Sequence, residues 1–175
     1  MISNEIICNP INDRRKRLLL GRKGNSELLV IGLNPSTANE SSMDPTSKNI
    51  ESIAIQNGFD GWWIINLYPG RYSKPKYLPK KPNKIYLKEN LEIINKIVKN
   101  KDFKIKNVLL CWGNNVNRHD YLKNQMEIIL KILKESNFTI YCIGVTKLGN
   151  PFHPSPLSIN RFLGGVNELK LKDFK

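Results

Sequence analysis

Four short apolar runs, each closed by a polar loop, constrain the fold of this chain more than any other feature of its sequence. Leu28 to Leu33, Trp62 to Leu67, Val108 to Trp112 and Thr139 to Gly144 are rich in Ile, Val, Leu and aromatic residues and read as buried strands. The stretches between them carry helical spacing. Asp44 is placed to cap a helix with Pro45 at its first position, and that helix ends near Gly58. A second helix, Asn83 to Asn100, sets Leu87, Leu91, Ile94 and Val98 on one face. A third, Asn117 to Ser136, does so with Leu122, Met126, Ile129 and Leu133. Strand alternating with helix calls for right-handed crossovers, so the expected fold is α/β: a three-layer α/β/α sandwich around a central, four-stranded, mostly parallel sheet. Arg14 to Gly24 mixes basic residues with Leu18-Leu19-Leu20 and reads either as an additional edge strand or as a short helix.

The length suffices for one substantial core, and neither a repeat nor a composition break divides it, so residues 1–175 are read as a single domain. Every apolar run falls far short of the roughly 20 residues needed to span a bilayer, so no membrane partner is expected. Met1-Ile2-Ser3-Asn4-Glu5 lacks the basic region, apolar stretch and cleavage site of an export signal, which points to the cytoplasm. Cys111 and Cys142 sit inside apolar runs and read as core thiols, while the pairing of Cys8 stays open. Three scattered Cys and two His supply no metal framework, and no cofactor is expected. A formal net charge of +13 attracts polyanions, which makes nucleic acid the leading partner class. A proteome biased toward Lys and Asn codons would produce the same excess.

In open α/β sheets ligands gather at the carboxyl ends of the strands. Those ends read Gly32-Leu33-Asn34-Pro35-Ser36-Thr37, Asn66-Leu67-Tyr68-Pro69, Trp112-Gly113-Asn114 and His153-Pro154-Ser155-Pro156-Leu157-Ser158. The first three are individually ordinary: Asn before Pro is a common turn, and Trp-Gly is a common strand end. In the fourth, two prolines flank a serine and stiffen the loop, fixing the separation of His153 and Leu157 with little entropy left to lose. From Tyr68 to Lys88 no acidic residue interrupts seven Lys and Arg side chains interleaved with Tyr72 and Tyr77. This loop reads either as a nucleic-acid clamp or as a solvated basic surface.

Together these four strand ends resemble the uracil-DNA glycosylase superfamily. His153 to Ser158 spells that family's His-Pro-Ser-Pro-Leu-Ser motif, and Arg161 falls where many members carry Arg. Gly32-Leu33-Asn34-Pro35-Ser36 is similar to the Gly-x-Asn-Pro-Gly of the mismatch-specific and single-strand-selective branches, Asn66 matches the base-reading Asn, and Trp112-Gly113 matches the Trp-Gly of the third strand. The resemblance covers about residues 28 to 161. The extended signature Gly32 to Ala38 also resembles an uncharacterised bacterial and phage family. The superfamily resemblance implies a monomeric, cofactor-free DNA glycosylase that flips a damaged or modified pyrimidine nucleotide and hydrolyses its N-glycosidic bond. His153 would donate to the departing base and Asn34 would position water. Asn66, with Leu33 and Ser36, would hold the base. Leu157 would fill the gap left in the stack, and Thr37, Ser155, Ser158 and Arg161 would contact the DNA.

The departures carry information as well. Uracil-specific members have Tyr where this chain has Ser36, so the pocket floor is expected to admit a 5-substituent. The family's stacking aromatic has no counterpart between Ser36 and Asn57, which leaves Phe59, Trp62 and Tyr68 as candidates. Asp44-Pro45-Thr46 lies outside the glycosylase pattern and reads as a helix cap or as a polar contact of its own. His119, beside Asp120 at a helix start, reads as a surface residue rather than a catalyst. Two rivals remain: a binding module that lost its chemistry, and an enzyme acting on free nucleosides or nucleotides.

Overall fold

The structure, a computed structural model, describes residues 5–174. Residues 1–4, which carry most of the reading of the amino terminus, lie outside the described residues. In chain order the strands are β1 (Ile7–Asn9), β2 (Leu19–Arg22), β3 (Glu27–Gly32), β4 (Gly61–Asn66), β5 (Ile105–Leu110), β6 (Thr139–Cys142) and β7 (Lys172–Asp173). The helices are α1 (Pro45–Gln56), α2 (Lys84–Lys99), α3 (Asp120–Glu135) and α4 (Pro156–Phe162). The strands form one sheet in the order β1-β2-β4-β3-β5-β6-β7. β4, β3, β5 and β6 run parallel, whereas β1, β2 and β7 join antiparallel at the two edges.

The fold is α/β, but the expected four-stranded sheet is only the parallel centre of a mixed, seven-stranded one. β1 and β7 carry no signal in the sequence, because strands of three and two residues show no alternation to recognise. Arg14 to Gly24 resolves as strand β2, paired with β4 through Leu20 and Ile64.

Period-two alternation divides the core between the two faces of the sheet. Leu29, Ile31, Trp63, Ile65, Val108 and Leu110 face one way and meet Ile94 and Ile97 of α2 and Leu122, Ile129 and Leu133 of α3. Leu28, Val30, Trp62, Ile64 and Leu109 face the other way and meet Ile50, Ile53 and Ala54 of α1 and Ile159 of α4. Local signals set the helix starts. Asp44 Oδ1 accepts from Ser47 N at 2.8 Å with Pro45 at the first helical position, and Asn83 Oδ1 accepts from Ile85 N and Tyr86 N. The third helix begins later than its spacing suggested, because Asn114–Arg118 forms a 3₁₀ turn before Asp120. Among the described residues no helix is long and apolar enough to cross a membrane.

Candidate functional site

β3 leads to β4 on one side of the sheet and β5 leads to β6 on the other, with α1 and α3 on opposite faces, so the loops after β3 and β5 diverge. Divergence opens a crevice at the strands' carboxyl ends. A cleft of about 630 Å³ occupies it, a size typical of small-molecule sites. Leu33, Asn34, Ser36, Thr37, Asn66, His153, Ser155, Leu157 and Ser158 all line this one cleft. Arg161 does not: its guanidinium is exposed and lies over the Phe162 ring at 5.4 Å.

Asn66 ends β4 beside Gly32, the last residue of β3 and its register partner. The amide is held against that glycine so closely that a Cβ there would stand 2.6 Å from Oδ1. Asn90 Nδ2, fully buried on α2, donates to the Asn66 carbonyl at 2.8 Å and fixes the backbone from behind. Asn66 is only 3% exposed, yet its Nδ2 has no hydrogen-bond partner among the described residues. A buried amide donor left unpaired costs about 1–3 kcal/mol, which an acceptor entering the cleft could offset.

Asn34 is held in the opposite sense. Its Nδ2 donates to Pro35 O at 2.9 Å and Tyr72 O at 2.8 Å, so the amide nitrogen is consumed and the amide oxygen is the end left for a ligand or water. Two arginines brace the loop that carries it. Arg17 Nη1 donates to Ala38 O at 3.0 Å, and Arg71 Nη1 donates to Ser36 O at 2.8 Å and Ala38 O at 2.9 Å. Arg17 is buried, lines the cleft and leaves its Nε without a partner among the described residues. Burial, and secondarily the charge of Arg71, push its pKa down to about 10, while Asp44 pulls the other way, so the guanidinium stays charged at neutral pH.

His153 reaches the cleft from a tightly tied segment. Gly113 N donates to Pro151 O, Phe152 N to Gly144 O and Asn49 Nδ2 to Pro154 O, each at 2.9 Å. Gly113, at φ 69°, is required twice over: L side chains avoid that backbone region, and a Cβ would meet His153 Cβ at 3.2 Å. Desolvation pushes the imidazole pKa down to about 4, against the opposing pull of Asp44. His153 is therefore neutral at pH 7, with one ring nitrogen as donor and the other as acceptor.

Ser155 to Ser158, read from sequence as a stiff loop, is instead the start of α4. Ser155 is the N-cap, its Oγ accepting from Ser158 N at 3.2 Å and donating to Ser158 Oγ at 3.1 Å, and Pro156 takes the first helical position. The helix presents Leu157 at 70% exposure on the cleft rim. The candidate stacking aromatics are displaced. Trp62 and Phe59 pack into the core on the α1 face, and Tyr68 is buried against Tyr121 and Tyr72; none lines the cleft. Tyr72, Trp112, Phe152 and Phe162 do. His119 is half-buried, stacked on Tyr121 at 5.4 Å, and is likewise away from the cleft. The basic segment reaches the rim through Tyr72, Ser73 and Pro75.

Sequence reasoning missed Arg17 as a cleft residue and left the role of Asp44 open between cap and contact. Asp44 had a usable signal. The cap of a helix that follows a parallel strand must stand at the same rim as that strand's end. Arg17 had none, because it comes from the antiparallel ribbon ahead of the parallel strands. All three cysteines are buried and free, and desolvation raises the thiol pKa of Cys111 in the cleft wall. No group of three or more potential metal ligands occurs among the described residues.

No curated protein and no solved structure matches this chain. Residues 17–155 match a family model, a span that opens at Arg17 and closes at Ser155 and so encloses the cleft's strand ends from Asn34 to His153. On that match the chain belongs to the family described as protein of unknown function (DUF1643).

Proposed function

We propose that this protein is a monofunctional DNA N-glycosylase that hydrolyses the bond between deoxyribose and a damaged or modified pyrimidine flipped out of DNA. The observation that carries this reading is the buried Asn66 amide, which keeps an unpaired donor in the wall of a cleft large enough for a base. A pyrimidine carbonyl is the acceptor it lacks. The convergence of all four strand-end motifs on that cleft supports the resemblance to uracil-DNA glycosylases and to their fold.

As the glycosidic bond breaks, positive charge grows on the sugar and negative charge on the base. The neutral His153 imidazole donates to the base carbonyl oxygen as that charge develops, and a preorganised donor of this kind is worth about 2.7–4 kcal/mol. Asn34, its nitrogen clamped, holds water through Oδ1. Leu157 fills the vacated stack, and Ser36 leaves room beside the base for a 5-substituent. The net charge of +13 speeds the encounter with DNA.

The test is base release from oligonucleotides carrying uracil, 5-hydroxymethyluracil, mismatched thymine or modified cytosines, scored as alkali-labile sites. His153→Ala is expected to slow release about 10²–10³-fold, with Asn34→Ala also impaired. Intact DNA across the panel refutes the reading. Uracil released as fast as 5-substituted bases refutes the role given to Ser36.

Arg17 favours a second reading, because a buried guanidinium in the cleft wall suits the phosphate of a free nucleotide. Steeply salt-dependent DNA binding would count against it, since many phosphate contacts release many counterions.

A further inference from the structure

Asp44 is the only carboxylate among the described cleft-lining residues, and the glycosylase reading gives it no task. Hydrolysis of an N-glycosidic bond calls for a negative charge near the sugar, and Asn34 cannot provide it. Nor could Asp take that place: Asn34 Nδ2 donates to two backbone carbonyls, Pro35 O and Tyr72 O, and a carboxylate there would face two acceptors. The loop geometry therefore demands an amide at position 34 and sends the charge elsewhere.

Asp44 meets the requirement. One oxygen, Oδ1, is tied to Ser47 N at 2.8 Å, which fixes the side chain over the first turn of α1. Oδ2 receives no hydrogen bond from the described residues. The charged and basic side chains that share the cleft wall with it are Arg17 and His153, and its field reaches both of them. The carboxylate is thus anchored at one end and unoccupied at the other, in the same cavity as Asn34, Asn66 and His153.

Resting on the glycosylase reading, we propose that Asp44 is the catalytic carboxylate of this cleft, stabilising the sugar cation and accepting the proton of the attacking water. The water oxygen forms the new bond to the anomeric carbon. The electron pair of the broken C–N bond leaves with the base, which is stabilised by the His153 hydrogen bond and takes a proton from solvent. The water proton passes to Asp44 and then to solvent, so the net change is hydrolysis.

Asp44→Asn is the decisive variant because Asn caps helices as well as Asp does, so only the charge is removed. Its melting temperature is expected to stay within about 2 °C of the parent. Base release should fall about 10²–10⁴-fold. A second readout is independent of turnover: in the Asp44→Asn protein the His153 imidazole, followed by NMR, should titrate at lower pH than in the parent. If the parent releases base and Asp44→Asn does so within about threefold, this proposal fails and the glycosylase reading stands. If the parent releases no base from any oligonucleotide, both fail. An unchanged His153 titration places the carboxylate too far from the reaction centre and overturns the proposal by itself.

Discussion

Substituting Gly32 by Ala tests the seat of Asn66 directly. Gly32 and Asn66 are register partners at the ends of β3 and β4, and the new methyl carbon would lie 2.6 Å from Asn66 Oδ1. An undistorted C···O contact needs about 3.3 Å, so the overlap is about 0.7 Å. The other neighbours are at ordinary distances, with Asn66 Cγ at 3.7 Å and Ile65 O at 3.8 Å. The strain is therefore concentrated on one amide oxygen, and Asn66, only 3% exposed, has little room in which to retreat. Overpacking of this kind costs about 1–3 kcal/mol. In an Asn66→Ala background the obstacle is gone, and Gly32→Ala should then stabilise by about 0.4–1 kcal/mol through the less flexible unfolded chain. The coupling between the two sites should accordingly be about 1.4–4 kcal/mol, read from urea unfolding of the four proteins in a double-mutant cycle. Gly32→Ala alone should also weaken base release much as Asn66→Ala does. Effects that add to within about 0.5 kcal/mol would show that Asn66 is not seated against Gly32 and would refute the reasoning.

Further outcomes follow from the same geometry. The folded-state pKa of His153, about 4, lies below the ordinary histidine value of 6.5, so on acidification the unfolded chain binds the proton first. Stability present above the unfolded value should be lost as pH falls from about 6.5 toward 4, by about 2 kcal/mol after allowance for the ring's partial exposure. Urea midpoints across that range should be flatter in His153→Gln, and identical slopes would contradict the burial argument. Asn90→Ala, which removes the donor to the Asn66 carbonyl without touching the cleft, should cost about 1–3 kcal/mol and impair base release; full activity would dismiss its bracing role. Reversing the charge of the exposed Lys74 and Lys76 should make the fall of log affinity for single-stranded DNA with log salt shallower, by about 0.7 for each phosphate these lysines neutralise. An unaltered slope would leave the segment as a solvated surface.

The parallel centre of the fold was legible because β3 and β4 are buried along their whole length and β5 and β6 carry shorter apolar runs, and the first two helices were legible because Asp44 and Asn83 announce their starts. The edge strands were not. Ile7–Asn9 and Lys172–Asp173 are only three and two residues long and are held by pairing with Leu19–Gly21 and with Tyr141–Cys142, which leaves no local pattern to recognise. The same division holds for the site. Asn34, Asn66 and His153 follow strands or lie in a distinctive loop, so the strand-end rule gathers them. Arg17, Asn90 and the orphaned Asn66 donor are products of packing between segments far apart in the chain. Ser155 misled because a proline-serine-proline stretch describes a rigid loop and a helix start equally well, and only the Ser158 N–H decides between them.

The two arginine braces also determine how far the chain can be shortened. A cut just before Gly24 would spare all four parallel strands and every residue of the cleft wall except Arg17. By the usual logic of domain trimming, the antiparallel ribbon is expendable decoration. Here it supplies one of the two guanidiniums that hold Ala38 O, and the backbone carbonyl of Asp13 that accepts from the other, Arg71, while β2 covers the flank of β4. The trimmed protein would keep its α/β centre while the loop carrying Asn34 slackened, and β4 would become an open edge able to pair with a second molecule. Self-association rather than unfolding would then mark the cut, which makes the ribbon a cover for a sheet edge as well as a support for the cleft.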